Sequence, residues 1–177
     1  MYRLKRWLDQ LSEAVGIIIA WFTLFMVLGT LIVVLLRYGF DVGWIWMQES
    51  ITWMHAAVFM LGASYTLKRD EHVRVDIFYR QMSESQAAWV NLLGTIFFLV
   101  PLSIFLILSS WDYVVASWEI HEASREAGGL TYPFVSILKS FIPITALLIL
   151  LQGMAGLIDN VFKITGKAAS RVESQSQ

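Results

Sequence analysis

Three histidines, 14 carboxylates and no cysteine are the inventory from which this chain could build a reactive site. Without cysteine there is no thiolate nucleophile, no thiolate metal site and no disulfide framework. His55 is the one histidine inside an apolar run. An imidazole there could ligate haem if a second histidine faced it from another helix at similar depth. His72 and His121 both fall in charged, loop-like segments, so neither is placed to pair with it. The plainer role for His55 is a hydrogen bond between helices, and no cofactor is expected. The acids and bases gather at boundaries. Glu49 precedes one apolar run; Lys68, Arg69, Asp70, Glu71, His72, Arg74 and Asp76 follow it. Glu49 near a helix N-terminus would be stabilised by the helix dipole by about 0.3–1 kcal/mol, or could contact another protein. The mixed-charge segment reads equally as a solvated turn or a docking surface.

The elements that hold these residues are set by the absence of charge. Hydrophobic residues make up 57% of the 177 and charged residues 15%, against roughly 25% charged in a soluble domain. Four stretches, 14–36, 50–67, 85–111 and 140–158, carry no Asp, Glu, Lys or Arg. Apolar runs of this length read as membrane-spanning helices, because the hydrocarbon core is about 30 Å thick and a helix rises about 1.5 Å per residue. The expected fold is an all-α integral membrane protein. Its four transmembrane helices cover about 14–36, 50–67, 86–111 and 139–158 within one domain, 1–165, and residues 166–177 form a polar tail. Residues 1–13 read as a short amphipathic lead-in. Residues 41–48 are too apolar for a solvated loop and too short to span, which predicts an interfacial segment bent by Gly39 and Gly43 before helix 2. Pro101 predicts a kink in helix 3, and Pro143 falls in the first turns of helix 4, where it is better tolerated. A soluble enzyme is excluded, as is a nucleic-acid binder, given a net charge of −1 and no dense basic run.

Orientation follows the lysines and arginines, which favour cytoplasmic loops. If four helices alternate, one side collects 10 of them and the other 3. Both termini and the second loop are therefore expected in the cytoplasm. Trp44, Trp46, Trp53, Trp111, Tyr113, Trp118 and Tyr132 would mark the outer interface. Trp21 lies deeper and is expected to pack against a neighbour. A solute path must be lined by something polar, yet these runs hold no carboxylate and no basic residue. The chain thus reads as an accessory subunit rather than an enzyme or a transporter acting alone. Close helix contact should centre on the small residues Gly16, Ala20, Gly29, Ala56, Ala57, Gly62 and Ala63.

Several motifs resemble the small membrane subunit, DctQ type, of the tripartite ATP-independent periplasmic (TRAP) transporters. They are Arg37 closing helix 1, Trp46-Met47-Gln48-Glu49 opening helix 2, Phe59-Met60-Leu61-Gly62-Ala63-Ser64-Tyr65, and Arg69-Asp70-Glu71-His72-Val73-Arg74-Val75-Asp76. The outer segment with Glu122, Ser124, Arg125, Gly128 and Gly129 is similar to the long-loop branch of that family. The resemblance covers roughly residues 10–160. It implies a scaffold role beside a large membrane subunit that carries the substrate and sodium sites, with a periplasmic binding protein delivering an organic acid. It also implies a bacterial or archaeal inner membrane, with lipid as the remaining partner and no nucleic acid. Arg37, Glu49, Arg69, His72, Arg74 and Asp76 become candidates for the subunit interface. Glu122, Ser124, Arg125, Gly128 and Gly129 become candidates for docking on the outer side. The rival readings are a haem-binding anchor of a redox enzyme and a stand-alone four-helix transporter.

The topology is checked with single cysteines at Ser124 and Ser170 in spheroplasts. An impermeant thiol reagent should label the first and spare the second; labelling at position 170 would reverse the assignment.

Overall fold

The computed structural model describes residues 2–69, 79 and 81–165. These residues are helical throughout, apart from the connections: α1 (Tyr2–Phe40), α2 (Ile45–Lys68), α3 (Glu84–Glu119) and α4 (Phe134–Ile164). Each helix is longer than the charge-free run that predicted it. Lack of charge marks the hydrocarbon slab, whereas the hydrogen-bonded ladder continues into water as long as the residues tolerate it. The lead-in at 5–13 is accordingly the first turns of α1. Three helices, α1, α3 and α4, are long and apolar enough to cross a membrane. In α2 the run 50–67 is equally free of charge, but Ser50, Thr52, His55, Ser64 and Thr66 dilute its hydropathy.

The helix ends show local chemistry. The connection between α1 and α2 is only residues 41–44, and residues 45–48 of the expected interfacial segment form the first turn of α2. The bend does not fall on a glycine. Gly39 is inside α1, and the residue in the left-handed region is Asp41, at φ 55°, a conformation that Asp tolerates better than most residues. α3 starts on a capping box: Ser83 Oγ accepts from the Gln86 N–H, and Gln86 Oε1 accepts from the Ser83 N–H. It ends with His121 at φ 51°, where the Glu122 N–H reaches the Ser117 carbonyl and the His121 N–H that of Trp118. This is the Schellman pattern, with histidine in the usual glycine position.

Pro101 does distort α3. Residues Thr95–Leu99 form a π-helical turn, and the Val100 N–H reaches back five residues to the Thr95 carbonyl. Proline cannot donate to residue 97, and the wider turn accommodates the lost bond. Pro143 sits ten residues into α4 rather than in its first turns, and the helix runs on through it.

Packing is inside out compared with a soluble protein. Most buried positions are small or polar, Ala57, Ala88, Ala146, Ala155, Ser12, Ser64, Ser103, Ser110, Ser117 and Ser136 among them, and of the described residues only Leu8, Ile19 and Phe141 are buried, large and apolar. Large apolar side chains line the exterior, and Trp21, expected to be packed, faces outward at 59% exposure. Phe22 beside it turns inward to Trp53, which also packs on Phe134 and Phe141. Trp53 therefore joins α1, α2 and α4, its indole N–H donating to the Phe134 carbonyl at the start of α4. α1 turns one narrow seam to its neighbours, through Ser12, Ile19, Met26 and Val33 and through Val15, Phe22, Gly29 and Leu36, the seven-residue spacing of shallow left-handed crossings. α3 does the same through Ser103, Ser110 and Ser117. α4 contacts all three other helices, while α3 packs substantially on α4 alone.

Glycines allow the closest approaches. A Cβ at Gly16 would lie 2.6 Å from Tyr65 Cγ, one at Gly62 would lie 3.1 Å from Ile19 Cδ1, and one at Gly153 would lie 2.6 Å from Leu99 Cδ2. Ala20, also expected at a contact, is exposed. Gly16→Leu should destabilise the detergent-solubilised chain by about 1–3 kcal/mol through overpacking against the Tyr65 ring. Gly156→Ala, which meets no atom within 4 Å, should stabilise it by up to about 1 kcal/mol through helix propensity. Thermal melts of the two variants should move in opposite directions.

Candidate functional site

Polar side chains collect at the two ends of the helix array. At one end the 120–133 connection folds over the start of α2. Glu49, in the second turn of α2, accepts from Ser124 Oγ at 2.5 Å through Oε1 and from the Leu130 N–H at 2.6 Å through Oε2. The loop is pinched behind it, with the Ser124 N–H donating to the Leu130 carbonyl at 2.8 Å. The Trp46 N–H, one of the unpaired donors of a helix start, donates to the Gly128 carbonyl at 3.0 Å. Gly128 has φ 79°, where a side chain would be strained. A Cβ on Gly129 would lie 2.6 Å from Ser124 Cβ and 2.7 Å from Glu49 Oε2, so the carboxylate can approach only a bare backbone.

Beside this clasp, Lys139 of α4 donates to Glu122 at 2.5 Å and stands 4.0 Å from the Tyr113 ring centre. The hydrogen bond from Lys139, reinforced by one from Ser117, holds the Glu122 carboxyl below the usual carboxylate range. Ser117 and Ser136 share a buried hydrogen bond at 3.1 Å, and Trp118 Nε1 donates to Ser140 Oγ at 3.0 Å.

At the opposite end, Glu13 of α1 receives Lys68 at 2.5 Å and Arg69 at 3.0 Å from the end of α2, and Arg69 also lies over the Tyr65 ring. A second network runs between α1 and α4. Ser12 Oγ donates to Gln152 Oε1 at 2.7 Å, and Gln152 Nε2 donates to Asp9 Oδ1 at 3.2 Å. Lys5 bridges Asp9 at 2.7 Å and Asp159 at 3.2 Å.

Four of the expected site residues, Glu49, Ser124, Gly128 and Gly129, thus form one clasp within the chain. Glu122 is engaged by Lys139, and Arg69 by Glu13. Glu49 makes no ion pair with Arg37, the basic residue near the end of α1. Arg37 and Arg125 are exposed and make no hydrogen bond or ion pair among the described residues. His72, Arg74 and Asp76 lie outside the described residues, as does any pairing of Asp76 with Arg74 or Arg80. His55 makes no hydrogen bond between helices among the described residues; it is exposed, its ring 4.6 Å from that of Phe59. Sequence reasoning missed Gln152, although it is the one amide in the run 140–158, and missed the serines of α3, although 103, 110 and 117 repeat every seven residues. No group of three or more His, Asp or Glu residues able to hold a metal ion occurs among the described residues.

An array of apolar helices tied at its two ends, with no Asp, Glu, Lys or Arg between the ties among the described residues, is the build of an integral membrane protein. The chain belongs to the DctQ component family of the tripartite ATP-independent periplasmic transporters, whose family model matches residues 26–163. It is also similar to the C4-dicarboxylate TRAP transporter small permease protein DctQ of Vibrio cholerae, 29% identical over 111 residues, 63% of this chain and 46% of that protein. The matched region therefore spans less than half the length of that relative. No solved structure matches. The chain is a transport component of a membrane assembly.

Glu49→Gln leaves one carbonyl oxygen for two donors and should loosen the clasp by roughly 1–3 kcal/mol. Amide hydrogen exchange at Leu130 should speed up about tenfold or more. The Glu122 tie has a defined pH window. Its folded carboxyl titrates below the unfolded value of about 4.3, so its contribution is complete above that value and is lost as pH falls through the folded one. Cleavage after Arg125 by a protease should be flat from about pH 6 to 9 and rise only in acid.

Proposed function

We propose that this chain is the small, non-catalytic membrane subunit of a TRAP-type secondary transporter. It scaffolds a large elevator subunit for sodium-coupled uptake of an organic acid delivered by a periplasmic binding protein. The observation that carries the reading is the unequal use of helix faces. α3 turns a seam of small residues to α4 and leaves Phe97, Phe98, Phe105 and Leu108 exposed, each by more than 60%. Such a chain offers an extended apolar surface to lipid and to a larger protein, and holds no polar route of its own through the membrane. The name of the Vibrio cholerae relative supports a carboxylate substrate class for the assembled system.

The proposed topology is four spans in a bacterial or archaeal inner membrane with both termini cytoplasmic. The length and end contacts of α2 support reading it as the fourth span. Its 24 residues rise about 36 Å, its start is tied to the outer connection through Glu49, and its end is tied to Glu13 near the start of α1. Arg37 and Arg125, exposed at the outer end, are the charges available for docking there. His72, Arg74 and Asp76 are the candidates on the cytoplasmic side. Arg69 and Glu49 are already engaged within the chain, so their part is to shape the surface that docks.

The test is reconstitution. The tagged chain should co-purify with a much larger polytopic membrane protein, and uptake in liposomes should need both proteins together with the binding protein. Calorimetric titration of the isolated chain with sodium and C4-dicarboxylates should be flat. Solute uptake by this chain alone would sink the proposal.

A further inference from the structure

His55 is out of place on a helix that faces only lipid. It lies five residues inside the charge-free run 50–67, about 8 Å from the edge of that run, in the outer third of the span proposed above. Ionisable groups at that depth face protein or a water-filled cavity, and an imidazole left in hydrocarbon without a partner is costly. Among the described residues it has no hydrogen-bond partner: the ring is exposed and lies beside that of Phe59. It belongs to a stripe. Ile45, Gln48, Thr52, His55 and Phe59 are all exposed, spaced three and four residues apart, the spacing of one helix face used in helix pairing. Thr52 is satisfied by its own helix, through the Gln48 carbonyl at 3.3 Å. His55 is not.

The stripe continues toward the cytoplasmic end as a groove of about 440 Å³ between α1 and α2, lined by Gly16, Ile19, Ala20, Gly62, Ala63 and Thr66 among others. Gly16 and Gly62 are already covered by Tyr65 and Ile19 of this chain, so the groove offers apolar walls, with Val58, Phe59 and Tyr65 in its lining, to side chains of a neighbouring helix. Only a helix or a closed barrel can cross the bilayer beside it with its backbone satisfied. One face of α2 thus combines a polar group that needs a partner with an apolar groove further along the same helix.

We infer that this face receives a transmembrane helix of the large partner subunit, which places a hydroxyl, amide or carboxyl group opposite His55 and apolar side chains in the groove above Gly62. The inference rests on the scaffold reading and adds to it which of the chain's faces is the joint. The exposed face of α3 is then left to lipid.

The experiment places a photo-crosslinking amino acid at Phe59, and separately at Leu108 on α3, in the assembled transporter in native membranes. Phe59 should capture the large subunit, and Leu108 should capture lipid. Capture of the large subunit from Leu108 but not from Phe59 would leave the scaffold reading intact and overturn this inference. Capture from neither would overturn both, and capture of a second copy of this chain from Phe59 would replace the partner helix with a homodimer. A second measurement reads the hydrogen bond. His55→Leu should weaken recovery of the complex about 3- to 15-fold, the range of one interhelical hydrogen bond in a membrane. His55→Gln, which keeps a donor and an acceptor, should restore most of it, and the melting of the isolated chain should not change. Parent-like recovery with His55→Leu would overturn the inference.

Discussion

Inside a bilayer, moving an apolar side chain from lipid onto a neighbouring helix gains almost nothing, because lipid tails are as apolar as leucine. Every other feature of this structure depends on that. The helices cannot be held by a core of large hydrophobic residues, and they are not: the fully buried positions are alanines and serines, while phenylalanines, leucines and tryptophans stand outside. What remains to join the helices is shape and hydrogen bonding. Shape acts along the narrow seams, where Gly16 accepts the Tyr65 ring and Gly153 accepts Leu99. Hydrogen bonding acts at the two ends, where Glu49 ties down the 120–133 connection and Glu13, Asp9 and Gln152 close the other end.

The result is an open array. α4 lies among the other three, and α1 and α3 flank it without packing substantially on each other. A closed bundle would have hidden one face of every helix and left a single outward stripe. The open array leaves wide faces on α1 and α3, and it leaves the His55 stripe of α2 uncovered. These are the properties of a part, not of a finished machine, and they agree with membership in a family of transporter components.

The slab was legible in the sequence because charge is expensive in hydrocarbon, so its absence shows where each helix crosses. The helix ends were not legible, since leaving the slab does not oblige a helix to stop; α1 runs from Tyr2 although its charge-free run starts at 14. Glu49 could be singled out as an acid at a boundary, but its partners, Ser124 and the Leu130 N–H, are 75 and 81 residues away. Nothing local distinguishes that clasp from a docking site. Asp41 took the bend expected of Gly39 and Gly43 because a helix end needs one left-handed residue, and the sequence offered several that qualify. Trp21 faces outward for a related reason: composition places an aromatic along a helix, but rotation about the helix axis decides which way it faces.

The π turn in α3 has a consequence in the counting of residues. Along the face that meets α4, Ala88 and Thr95 are seven apart, as are Ser103, Ser110 and Ser117, but from Thr95 to Ser103 the step is eight. Continued without a break, the serine series would reach Ile96 and Trp89, which are 43% and 49% exposed. The segment Thr95–Leu99 therefore holds one residue more than an α-helix of the same phase requires. Pro101 and the widened turn act as a register joint: they let two differently phased halves of one helix face the same neighbour. A chain that kept every residue but wound them as plain α-helix would swing one half by about 100° relative to the other, whereas a chain shortened by one residue there would keep both halves on α4.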